Sequence, residues 1–207
     1  MRVIYKITKK ITFFWKYKIL LKHQPSCKNL LDYGGGVGDF SSYLLNKNIS
    51  AINYDPNTGN NLNSFDSSLR KNFDIITLWH SIEHIHNIKE TFNCIDSLLK
   101  ENGFLLIAAP NHDAYERKRF FNHKWIAYDI PRHLYHFNTQ TLEKLLQKYN
   151  YTIEKFYPMY QDTFFNIFMS SSSKNPIKLF YKFFLSILHI FFNKKLSSSL
   201  LFVCKKQ

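Results

Sequence analysis

Residues 32–38 read Asp-Tyr-Gly-Gly-Gly-Val-Gly, directly after an apolar run and directly before a stretch of helical character. No other feature limits the possible folds as much. Glycines at 34, 36 and 38 permit tight backbone turns and let a ligand approach the main chain with no side chain between. Asp32 ends the apolar run, and Asp55 ends the next one, Ser50–Tyr54. In open α/β folds an acid at the second position can accept both hydroxyls of an adenosine ribose. The dinucleotide fingerprint G-x-G-x-x-G is not met, because Asp39 stands where the third glycine belongs. Close packing over a pyrophosphate needs that glycine, so a nicotinamide-linked reductase is disfavoured.

The remaining pattern supplies the frame. Strands are expected at 28–33, Ser50–Tyr54, 74–79, 104–109, near 151–156 and at 199–204. Between them fall helices at 40–46 (capped by Asp39), from Asn87 to a closing Gly103, at 141–149 and at 177–192. Strands alternating with helices imply an α/β fold, a Rossmann-like doubly wound sheet covered on both faces. One domain is expected over 1–207: a basic helical extension at 1–27, a cofactor-binding core at 28–157, and a helical insertion at 163–198 before the last strand.

The net charge of +13 sits at the ends. Eight Lys/Arg and no acid precede Asp32, and seven Lys/Arg and no acid follow Asp162, so the middle is close to neutral. That distribution speaks against a central nucleic-acid cleft; basic ends suit anionic membrane surfaces or nucleic acid, and the alternative is compositional, the lysine-rich imprint of an AT-biased genome. Both ends are also aromatic (Phe13, Phe14, Trp15 and Tyr17; the phenylalanines of 177–192), and each permits two readings: packing on the protein, or lying in a membrane interface. The three cysteines, Cys27, Cys94 and Cys204, form no C-x-x-C pair. Reduced thiols in a cytoplasmic protein are expected, with peripheral contact at the inner face of the membrane as the second possibility.

Three blocks of sequence resemble one family. Residues 31–40 (LDYGGGVGDF) look like the first motif of class I S-adenosylmethionine (SAM)-dependent methyltransferases. Residues 73–84 (FDIITLWHSIEH) and 131–137 (PRHLYHF) are similar to later blocks of the bacterial methyltransferase-domain group allied to ubiquinone-biosynthesis O-methyltransferases. The resemblance implies a sheet of about seven strands, mostly parallel with an antiparallel last strand. It implies SAM as cofactor, held by Asp32, Gly34, Gly35, Gly36, Gly38 and Asp55, with Trp79 beside them. Gly35 replaces the family's usual cysteine. About eighteen residues separate Asp55 from Phe73, barely room for a helix, a third strand and an adenine-side wall that includes Asp66.

His80-Ser81-Ile82-Glu83-His84 also matches the H-x-x-E-H zinc-hydrolase signature. That chemistry needs both histidines one turn apart on a helix, yet His80 falls at a strand end, so no metal site is expected. The loop at 125–137 is rich in aromatic and basic groups and long enough to be functional. It is read as the acceptor site: Trp125, Tyr128, Arg132 and His136 bind substrate, and His133 is the general base, with His80 as its rival. The expected activity is methyl transfer to an oxygen, or else a nitrogen, of a small or lipid- or sugar-linked acceptor. The alternative is a catalytically silent SAM- or adenosine-binding module attached to a membrane or a partner.

Overall fold

A computed structural model of the chain describes residues 2–56 and 70–206, with side chains from residue 8 onward. The elements are α1 (Arg2–His23), β1 (Asn29–Tyr33), α2 (Asp39–Leu45), β2 (Ser50–Tyr54), β3 (Phe73–Trp79), α3 (Ile88–Leu98) and β4 (Leu99–Pro110), followed by α4 (Thr139–Lys148), β5 (Tyr151–Pro158), α5 (Tyr160–Ser170), α6 (Pro176–Phe192) and β6 (Ser199–Lys206). The described strands pair in the order β2-β1-β3-β4-β6-β5, mostly parallel with one antiparallel strand near the end. This is the Rossmann-like arrangement expected. The third strand sought between Asp55 and Phe73, and Asp66 with it, lie outside the described residues.

The chain divides into two compact units. The first comprises residues up to Trp79 together with 89–106, and the second comprises 80–88 and 107–205. In the first, β1 pairs in parallel with β2 and β3, aligning Leu31 with Ile52 and Ile76. Every residue of β3 is buried, which explains its unbroken apolar run. Helix α1 packs here: Leu20 is fully buried, the Phe13 ring lies 5.3 Å from Phe40, and Trp15 meets Trp79 edge-on.

Two expected helix ends are corrected. Asp39 does not cap α2; Gly38 holds the cap position at φ 78° with no side-chain bond, and Asp39 is the first helical residue, paired with Lys9. Gly103 does not close α3, because the chain passes from Leu98 straight into β4. A Cβ at Gly103 would lie 2.7 Å from Leu99 Cδ1, so this glycine makes room for a buried leucine inside a strand.

In the second unit Trp125 packs with Ala114, Phe121, Ala127 and Ile167. Helix α6 is mounted inside out. Its polar stripe faces the protein: Ser186 is fully buried, His189 stacks on Tyr115 at 3.8 Å, and Lys182 donates to the Ser171 hydroxyl at 3.2 Å. Its apolar face is open, with Phe180, Phe191 and Phe192 at 68%, 75% and 80% exposure.

Candidate active site

In the first unit the glycine loop turns through left-handed backbone at Gly34 (φ 76°), Gly36 (φ 59°) and Gly38 (φ 78°), where only glycine sits without strain. Its amides are tied internally. Gly34 donates to the Tyr54 carbonyl at 2.6 Å, and Gly36 donates to Asp55 Oδ2 at 2.8 Å. Asn53 Nδ2 in turn donates to the Gly36 carbonyl at 2.8 Å. The second strand therefore fixes the loop, and Asp55 acts first as its anchor. The loop floor is equally tight. A Cβ on Gly35 would fall 2.2 Å from Asn53 Oδ1 and 2.4 Å from Asp32 Oδ2, so a larger residue at 35 would have to displace these two side chains. At Gly36 a Cβ would meet open space.

Asp32 is buried beneath this floor and takes one side-chain hydrogen bond, from the Thr77 hydroxyl at 2.7 Å. Burial pushes its carboxyl above the usual range, while Thr77 and the Lys16 cation pull the other way. The Lys16 ammonium stands 4.1 Å over Trp79 and 5.1 Å over Phe40. An acid and aromatic faces thus already hold a positive charge here. A SAM molecule carries an ammonium and a sulfonium, and the cradle fits such a group: a buried carboxylate, an aromatic cage occupied by a stand-in cation, and an unpartnered buried Asn53 Oδ1.

In the second unit a cavity of about 440 Å³ is lined by His80, Glu83, Arg132, His133, Asp162 and Asn166, among others. A smaller groove near Glu143 and Glu154, about 320 Å³, contains no imidazole and no buried acid. His80 leaves β3 in left-handed backbone (φ 53°), and a short 3₁₀ turn, Ile82–His84, follows. His80 and His84 therefore do not share a helical face, and the zinc-hydrolase reading of the motif is excluded on geometry. His80 Nε2 lies 2.9 Å from Asp162 Oδ2, and Nδ1 lies 3.4 Å from Glu83 Oε1. Burial lowers its pKa, but the two acids outweigh that and raise it to about 10. His80, expected as the rival base, thus stands between two acids that favour its protonated form.

His133 Nδ1 lies 2.8 Å from the Ala127 carbonyl. It must donate there, which leaves the lone pair on Nε2. Burial lowers its pKa, keeping the ring neutral. Leu134 donates to the Glu83 carbonyl at 2.8 Å, which ties the loop to the 3₁₀ turn. Arg132 grips Asp129 through Nη2 at 2.7 Å and Nε at 3.0 Å.

Three residues expected to bind substrate are placed elsewhere than in this cavity. Trp125 is core, 2% exposed. Tyr128 accepts from Arg117 at 3.1 Å and wedges against Trp125 and His136. The ring of His136 rests its Nε2 on the Tyr128 carbonyl at 3.0 Å. None of the three lines the cavity. Glu83, Asp162 and Asn166 do; an acid just past the end of β3 and two polar residues among the phenylalanines of α5 were the available signals.

Together these features define an α/β nucleotide-fold transferase. A methyltransferase-domain family model matches residues 2–155, and the chain belongs to that family. Its fold is similar to a SAM-dependent methyltransferase from Archaeoglobus fulgidus, at 18% identity over 94% of each chain and a TM-score of 0.59. It is also similar to the 1,6-didemethyltoxoflavin-N1-methyltransferase of Burkholderia thailandensis, at 17% identity over 92% of this chain and 76% of that one, with a TM-score of 0.58. No curated protein matches the chain significantly.

Proposed function

We propose that the chain transfers a methyl group from SAM, held at the glycine cradle, to a hydroxyl of a lipid-linked acceptor seated in the second unit's cavity. The carrying observation is the cage of Asp32, Trp79 and Phe40 around a positive charge. SAM supplies the activated methyl group; the protein's work is alignment and proton handling. Asp32 takes the cofactor's ammonium end, and Asp55 takes the ribose while bracing Gly36. His133 accepts the hydroxyl proton at Nε2, Arg132 positions the acceptor, and the His80 cation braces Glu83 and Asp162.

Helix α6 supports the lipid-linked acceptor. No described helix is long and apolar enough to cross a membrane. An exposed aromatic face ringed by Lys174, Lys178, Lys194 and Lys195 nevertheless suits insertion at an anionic interface. Phe165 and Met169 of α5 line the cavity and are themselves exposed. The test is incubation with methyl-labelled SAM and a membrane lipid extract. Label should enter the organic phase, and His133→Ala should lower the rate roughly 100-fold with S-adenosylhomocysteine affinity within a few-fold. Label confined to water-soluble products would refute the lipid-linked acceptor.

A further inference from the structure

The Glu83 carboxylate is fully buried, and its Oε2 has no hydrogen-bond partner among the described residues. His80 Nδ1 lies 3.4 Å from its Oε1. A buried carboxylate oxygen left unpaired is costly unless something else coordinates it. Two imidazoles stand beside it. The His84 and His133 rings are 4.7 Å apart, centroid to centroid. One ligand-capable atom from each of Glu83, His84 and His133 lies within 4.8 Å of the other two.

The ring orientations matter more than the clustering. His84 Nδ1 is 2.9 Å from the Arg132 carbonyl, and His133 Nδ1 is 2.8 Å from the Ala127 carbonyl. Carbonyl oxygens accept, so both rings carry their proton on Nδ1 and keep a lone pair on Nε2. Metal-binding histidines are oriented in this way, by donating the other ring nitrogen to a backbone carbonyl.

We propose that Glu83, His84 and His133 form a binding site for one divalent transition-metal ion of the zinc class, with an open coordination position for an acceptor oxygen. Two imidazoles and one carboxylate suit such an ion, whereas magnesium and calcium prefer all-oxygen shells. Around a four-coordinate ion with bonds of about 2.0–2.1 Å, ligand atoms sit about 3.4 Å apart. His84 is exposed and Glu83 buried, so the closing movement falls to His84. The ligand set differs from the one its motif suggests: His80 is drawn off to Asp162, and His133 of the distant loop replaces it. The absence of a metal site expected from sequence is therefore reopened by different residues.

The inference rests on the reading of this cavity as the acceptor site, and it uses the same His133 lone pair. Proton acceptance and metal ligation are thus alternative states of one imidazole. The test strips the full-length protein with EDTA and titrates Co²⁺, with zinc content measured on unstripped protein. One Co²⁺ per chain should bind with the visible absorption of a four- or five-coordinate nitrogen–oxygen site. His84→Ala and His133→Ala should each weaken binding 10-fold or more, and His136→Ala should leave it unchanged. Because His84 is exposed, its substitution tests the site without threatening the fold. Absent Co²⁺ absorption together with negligible zinc overturns the site, as does binding indifferent to both substitutions. Calorimetry with S-adenosylhomocysteine separates the claims: metal binding without cofactor binding would sink the methyl-transfer reading and spare the metal site, and the converse would do the reverse.

Discussion

Helices α1 and α6 are built from the same materials, lysines interleaved with aromatics, and they use them in opposite ways. In α1 the apolar side is turned inward: Ile19 and Leu20 are buried, Phe13 packs on Phe40 and Tyr43, and Lys16 drapes its charge over Trp79. In α6 only Ser186 and Ile190 are buried. Lys182 is held inward, over the Phe121 ring at 4.6 Å, and burial lowers its pKa. The phenylalanines stack on one another outside, Phe180 on Phe184 at 6.2 Å. Composition alone cannot separate a helix that completes a core from one that offers an apolar face to another medium. The direction of the polar stripe does.

The comparison can be broken most easily at α1. Leu20→Ala removes a fully buried side chain and should cost about 2–5 kcal/mol in denaturant unfolding. A loss below about 1 kcal/mol would mean that α1 is an appendage and not core. At α6 the expectation is reversed. Replacing Phe180, Phe184, Phe191 and Phe192 together by serine should weaken flotation with anionic vesicles by at least about 10⁴-fold, since each aromatic contributes on the order of 1.5–3 kcal/mol when removed from water. The wild type should release as salt rises. Unfolding of the serine variant with no vesicle binding by the parent would show that α6 is core after all.

A smaller effect sharpens the account of the second unit's interior. Glu116 is buried against the Ser198 hydroxyl, near Trp125 and Arg117, and burial raises its pKa to about 7. The unfolded carboxyl titrates near 4.5. Its contribution to stability is therefore fully present below pH 4.5 and lost as pH rises through 7, a change on the order of 3 kcal/mol. Glu116→Gln should flatten that part of the melting-temperature profile between pH 5 and pH 8. An equal decline in both proteins would assign the effect to other groups. Smallest of all, Phe191→Ser alone should change stability by no more than about 0.5 kcal/mol, as for an exposed site.

Much of the first unit was legible in the sequence because its signals are local. Buried strands read as apolar runs, and the positive φ at Gly34, Gly36 and Gly38 requires the glycines that announce the loop. The misreadings came where a local signal had a distant cause. Gly103 looks like a helix stop, but it is set by the volume of Leu99. His80 looks like a base in the sequence, which does not show that Asp162, supplied by α5, stands 2.9 Å from its Nε2. Trp125 and Tyr128 sit in a functional-looking loop, yet they face Phe121 and Arg117. Helical period finds the stripe on α6 without saying which way it points.

The central claim is that Asp32, Asp55 and the glycine loop hold an adenosine cofactor bearing positive charge. Isothermal calorimetry on the purified protein, comparing S-adenosylhomocysteine with NAD, tests it most directly. The account predicts saturable one-to-one binding of S-adenosylhomocysteine and no heat from NAD. It also predicts weakening by at least about tenfold in Asp55→Ala, where a buried ribose loses its charged acceptor. Binding of NAD with indifference to S-adenosylhomocysteine would contradict it.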